Sequence, residues 1–205
     1  MSIEPSMLGD FEVLERYQGG EGWSGKVRRR KGDASAMILK VLEPGMEVRE
    51  GSLLASLEHP RIPRLLDTGC TEGNRSFLLR EFLPGRPIDS FFPLSPAEAN
   101  TLAVQLLEIL AYVHLRSVLH LDLKPANILR NDAEEPIAYC LLDFGLGSRG
   151  RGAGSGGTPF FAPPEVLLGL TPDPRSDLFS LGAVLWLALR TSKSPLPLGR
   201  FRQLF

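Results

Sequence analysis

Between residues 120 and 143 lies a set of polar side chains whose types and order suit group transfer: His120-Leu121-Asp122-Leu123-Lys124-Pro125-Ala126-Asn127, then Asp143-Phe144-Gly145. An aspartate held in a loop can accept the proton of a hydroxyl nucleophile. A lysine two residues on can neutralise charge on a group in flight, here a phosphoryl group. Asn127 and Asp143 offer hard oxygen donors, and Mg²⁺ is usually held by one or two such groups together with phosphate oxygens. Each residue alone is an ordinary turn former; in this order and spacing, chance explains them poorly.

Upstream, Met37-Ile38-Leu39-Lys40 ends an apolar run on a lysine, and Glu50 follows ten positions later on a helix-like stretch. Two readings fit. The pair can hold each other against phosphates, or each can be a solvated surface group with a snorkelling lysine stem. Further upstream, Gly20-Glu21-Gly22-Trp23-Ser24-Gly25-Lys26-Val27 separates two strand-like runs, with Val27 opening the second. It reads either as a common Gly-rich hairpin or as one whose bare backbone N–H groups cover an anion.

These residues need a scaffold, and its elements show in the apolar pattern. Short β-prone runs occupy Phe11 to Tyr17, Ala34 to Leu42 and Ser76 to Leu83, with one helix predicted over Glu47 to Leu57. From residue 95 the pattern turns helical. Ser95-Pro96-Ala97-Glu98 reads as a capping box opening a helix that Leu102, Leu106, Ile109, Leu110 and Val113 carry to about Arg116. Strand-like runs follow at Ala126 to Leu129 and Ile137 to Leu142, then a Gly-rich stretch, then a helix from Ser176 to Leu189. The predicted architecture is α+β with two lobes: 1–83, a sheet with one helix, and 84–205, mainly helical.

Composition excludes several classes. With 23 Lys plus Arg against 24 Asp plus Glu, the chain lacks the basic balance of a nucleic-acid binder. The two cysteines, Cys70 and Cys140, have no metal-type spacing and frame no disulfide scaffold. The longest apolar run, Leu178 to Leu189, is too short to span a bilayer. A cytoplasmic location is the expectation, with no membrane segment and no nucleic-acid partner.

Taken together, the motifs resemble the eukaryotic-type protein kinases in their Ser/Thr branch, from Phe11 to about Thr191, with features similar to bacterial members. The resemblance implies a bilobal protein-kinase fold, with ATP and Mg²⁺ (or Mn²⁺) as cofactors and a protein bearing Ser or Thr as substrate. It implies Asp122 as catalytic base, Lys124 as partner of the transferred phosphoryl, Lys40 paired with Glu50 on the phosphates, and Asn127 and Asp143 on the metal. Gly20, Gly22 and Gly25 would cover the phosphates. Val27, Ile38 and Leu129 would sandwich the adenine, while the backbone from Glu81 to Leu83 bonds its edge. Asp177 matches the helix aspartate that anchors the catalytic loop. The seven glycines from Gly145 to Gly157 then belong to an activation segment rather than to a linker.

Several positions depart from the family pattern. Leu121 replaces the usual Arg, so phosphorylation control of that segment is expected to be absent. Ile38 replaces a small residue. Arg80 stands where the back pocket is limited, and must snorkel out or find a carboxylate. After Asp177 a kinase C-lobe ordinarily has three more helices. The expectation is therefore either a reduced C-lobe or a fragment with further domains beyond residue 205. Glu165 would then lack its usual Arg partner; Arg190 is one candidate substitute, with a solvated helix-end Arg the favoured reading, and apolar surface would open around Leu185, Trp186 and Leu189. Two other functions stay open: a nucleotide-binding scaffold of pseudokinase type, and a small-molecule kinase, against which Lys124-Pro125 and the Gly-Thr-Pro and Pro-Pro-Glu tripeptides argue.

Overall fold

A computed structural model describes residues 10–17, 22–32, 34–42, 49–71, 74–144 and 160–190. The chain forms two compact units, Met1–Leu83 and Pro84–Phe205.

The first unit is a five-stranded sheet in the order β1-β2-β3-β5-β4, with every neighbouring pair antiparallel. Its strands are β1 (Phe11–Tyr17), β2 (Gly22–Arg29), β3 (Met37–Leu42), β4 (Leu65–Cys70) and β5 (Ser76–Glu81). β2 begins at Gly22 rather than at Val27, so two of the motif glycines are strand residues. β4 carries Asp, Thr and Gly among its six residues, which hides it from a hydrophobic-pattern reading. The helix predicted to reach Leu57 ends sooner, as α1 (Arg49–Leu54). Its last turn tightens into i→i+3 bonds, Ser56 N–H to Leu53 O at 3.0 Å and Leu57 N–H to Leu54 O at 3.0 Å, and the Ser56 hydroxyl also donates to Leu53 O.

One side of this sheet is a buried cluster of Trp23, Val27, Met37, Leu39, Val41 and Leu79. Cross-strand pairing explains its membership: Trp23 faces Val41, Gly25 faces Leu39 and Val27 faces Met37, so alternate residues of both strands fall on this side. Gly25 makes room for the Trp23 indole. A Cβ there would lie 2.7 Å from the ring and 2.8 Å from the Glu15 carbonyl oxygen. Gly25→Ala is therefore expected to destabilise the fold by about 2 kcal/mol through overpacking, read as a lower urea midpoint at unchanged m. Gly22 has φ +120° and its missing Cβ would collide with the Val41 carbonyl oxygen at 2.2 Å, so its backbone also requires glycine.

The second unit contains α2 (Pro96–His114), α3 (Pro164–Leu167), α4 (Pro174–Ala188) and a small antiparallel sheet of β6 (Arg86–Pro87), β7 (Ile128–Asn131) and β8 (Ala138–Leu141). The capping box at Ser95 and Glu98 is formed in both directions. The Glu98 carboxyl is pulled down to about 2, first by the Ser95 backbone N–H, then by the Ser95 hydroxyl and Arg130. Leu102, Leu106, Ile109, Leu110 and Val113 are all buried, as the periodicity predicts. On the same face, buried Gln105 donates to Ile137 O and accepts from Tyr139 N–H, both at 2.8 Å, and so satisfies the edge of β8. α4 starts ahead of the predicted Ser176 because Asp173 caps it, with Pro174 at the first helical position. β7 runs two residues later than predicted, since Pro125–Asn127 winds into a 3₁₀ turn.

Candidate active site

In the second unit the loop from His120 to Asn127 is closed by its own side chains. Asp122 Oδ2 accepts from Lys124 Nζ at 2.7 Å and from Asn127 Nδ2 at 3.0 Å. Asn127 Nδ2 also donates to the Asp122 carbonyl oxygen at 2.8 Å. With its amide N–H groups turned inward, Asn127 keeps Oδ1 as its oxygen donor. Asp143 follows Leu142, whose N–H bonds Asn127 O at 2.8 Å, so the two candidate metal ligands are tied through one backbone contact. These are two hard oxygen donors, a set that suits Mg²⁺ when phosphates and water complete the shell. No cluster of three or more His, Cys, Asp or Glu occurs among the described residues.

His120 is buried and holds the loop from within. Its Nδ1 accepts from Asp122 N–H at 3.2 Å, which leaves Nε2 as the protonated nitrogen donating to Leu142 O at 2.8 Å. The ring also meets Phe144 edge-on, with centroids 4.8 Å apart. Beneath the loop, Asp177 of α4 is fully buried and accepts three hydrogen bonds. Oδ2 receives His120 N–H at 2.9 Å and His114 Nε2 at 2.8 Å, and Oδ1 receives Leu121 N–H at 2.8 Å. His114 therefore serves this anchor. Leu121 (φ 58°) and Asp143 (φ 59°) are both left-handed, a conformation costing roughly 1 kcal/mol for such residues. The catalytic-type loop is thus bent at Leu121 and pinned from below.

In the first unit, Lys40 Nζ bonds Glu50 Oε2 at 2.8 Å, and Glu50 is only 7% exposed. Its other oxygen, Oε1, is buried with no hydrogen-bond partner. Ile38 lies on the same side of β3 as Lys40. Val27 pairs with Met37 and packs in the buried cluster with Trp23, Leu39 and Val41. Glu81 N–H is taken by Arg64 O at 2.9 Å. Leu129 is a β7 residue of the second unit, and Leu83 closes the first. Gly20 and residues 145–159 lie outside the described residues.

The protein kinase domain family matches residues 17–201 of this sequence. The chain belongs to the protein kinase family. Among curated kinases, it is 31% identical over 181 residues to the serine/threonine-protein kinase pkn2 of Myxococcus xanthus, covering 74% of this chain and 22% of that protein. It is 33% identical over 171 residues to PknK of Mycobacterium tuberculosis, covering 75% of this chain and 15% of the relative. With the DNA damage-responsive kinase RqkA of Deinococcus radiodurans the identity is 33% over 210 residues, covering 91% of this chain and 31% of that one. The chain therefore spans less than a third of the length of each of these three. In fold it is similar to the solved PK-1 kinase of Cydia pomonella granulovirus, with TM-score 0.76 at 18% identity, over 96% of this chain and 75% of that one.

Set against the kinase pattern, the departures resolve individually. Arg80 is buried at 6% exposure and does not snorkel. Glu165, expected to lack a partner, accepts the Ser176 hydroxyl. Ser180 Oγ donates to Phe161 O at 2.8 Å, so α4 holds the 160–165 segment at two points. The Arg190 guanidinium stacks on the Trp186 ring at 4.5 Å. Trp186 and Leu189 are each 45% exposed, while Leu185 is half-buried.

Proposed function

We propose that this chain is the catalytic domain of an ATP- and Mg²⁺-dependent kinase that transfers the γ-phosphoryl group to a Ser or Thr hydroxyl of a protein. In this reading residues 1–83 are the nucleotide-binding lobe and 84–205 the catalytic lobe, acting in the cytoplasm. What carries it is the loop in which Lys124 and Asn127 converge on one oxygen of Asp122 while Asp177 pins the backbone beneath.

Asp122 orients the incoming hydroxyl and takes its proton as the oxygen bonds phosphorus and the bond to the β-phosphate oxygen breaks. Lys124 stabilises the charge on the phosphoryl oxygens, since such transfer needs positioning and electrostatics more than covalent help. Lys40, fixed by Glu50, holds the α- and β-phosphates. Asn127 and Asp143 would hold the metal, which when bound neutralises phosphate charge.

The test is transfer of labelled γ-phosphate from ATP to a generic basic protein. Lys40→Met is expected to reduce incorporation about a hundredfold, the usual scale for losing one preorganised charge contact. ATP-dependent thermal stabilisation of the wild type without any incorporation would instead favour the scaffold reading.

A further inference from the structure

From Leu178 to Leu189, α4 and its C-terminal cap include no charged group and a single hydroxyl, Ser180. The inner side of the helix, with Asp177, Ser180, Leu181, Val184 and Ala188, is buried in the second unit. Leu178, Gly182, Trp186 and Leu189 recur every three or four residues and so share one side. All four are exposed, the three large ones at 44–45%. A helix apolar all round is one that is covered all round, and an apolar stripe left on a surface marks a contact site. The stripe is shaped as well as apolar. At Gly182 a Cβ would meet nothing within 4 Å, so there is a notch between Leu178 and Trp186. One turn further along, the Trp186 indole is set in place by the Phe160 ring, 5.5 Å between centroids, and by the Arg190 guanidinium at 4.5 Å.

We propose that this stripe is the contact face between two copies of the chain. Two α4 helices packed antiparallel about a two-fold axis level with residue 184 bring Trp186 of each copy over Gly182 of the other. Knob and notch then lie on one self-complementary surface, as an isologous contact requires. The antiparallel arrangement also sets the N-terminal end of each helix beside the C-terminal end of the other, which suits their dipoles. The charged groups bordering the stripe are Arg175 and Arg190. Arg175 is held by Asp173 and Arg190 lies on the Trp186 ring, so each is already engaged within its own copy. At these exposures the face offers roughly 400 Å² per copy, about half of the ~800 Å² in a standard interface, which makes the dimer weak and reversible. The proposal stands apart from the ATP reading, since none of these residues belongs to the His120 to Asn127 loop.

Sedimentation of the whole chain from about 1 to 200 µM, combined with iodide quenching of tryptophan fluorescence, tests it. The mass is expected to rise from that of the 22.5 kDa monomer towards twice that value. Trp186 should become shielded from iodide over the same range, while buried Trp23 adds a constant background. Gly182→Leu fills the notch and is expected to weaken the dimer at least about tenfold. It should not lower the melting temperature of the dilute chain, because the new side chain meets open space and leucine suits a helix better than glycine. Leu178→Lys, which puts a charge into the contact, should weaken the dimer by a similar factor. A chain that stays monomeric overturns the proposal, whether Trp186 is quenched, so that the face is bare, or shielded, so that the chain covers it by itself. A dimer that neither substitution weakens lies on another face and overturns it equally.

Discussion

Asp122→Asn is expected to lower the single-turnover rate of phosphoryl transfer by about a thousandfold, in the range of a lost general base. ATP affinity and melting temperature should hardly move. The geometry explains why the two effects separate. Both groups on Asp122 Oδ2, Lys124 Nζ and Asn127 Nδ2, are donors. An asparagine that puts its Oδ1 in the same place accepts from both, so the loop keeps its internal closure. What it cannot do is take a proton from the attacking hydroxyl. Stopped-flow or quench-flow measurement at saturating ATP checks this directly, and a variant within tenfold of wild type would remove Asp122 from the role of base.

Asp177→Ala should act through the fold. The carboxylate is fully buried and accepts from His120 N–H, Leu121 N–H and His114 Nε2. Truncation strands three donors, each costing about 1–3 kcal/mol when buried and unmade. Against a total stability of roughly 5–15 kcal/mol, a loss of about 3 kcal/mol or more is large. The expected melting temperature falls by roughly 10 °C. Below that transition ATP should still bind while transfer is strongly reduced, because the Lys40–Glu50 pair is formed without Asp177 and the His120 to Asn127 loop is not. His114→Ala removes one donor and leaves both backbone contacts, so its effect should be distinctly smaller. Wild-type stability and rate in Asp177→Ala would mean the anchor carries no weight.

Much of this was readable from local spacing. The capping box at Ser95 and Glu98 spans three residues, and its partners meet wherever the chain turns helical there. The contacts among Asp122, Lys124 and Asn127 likewise span at most five residues. Helix α2 announces itself because five apolar residues recur at helical spacing and bury one face. Where the pattern was interrupted, the reading failed: β4 is half polar, β6 has two residues, and Pro125 forced a 3₁₀ turn ahead of β7.

The sequence by itself determined which chemical groups are available and which neighbours in the chain can meet. Tertiary structure decided which way they face and what holds them. Val27 matches the motif, and the pairing of β2 with β3 sets it beside Met37 in the buried cluster. That outcome depends on where the connecting turn closes, and one residue more or less reverses it. Asp177 meets donors 56 to 63 residues away, and Ser176 reaches Glu165 across the turn before α4. Such partners are brought together by the burial of α2 and α4, which no local periodicity encodes. The glycine motif around Gly25 was visible in the sequence; that Gly25 accommodates an indole became visible only in the packed sheet.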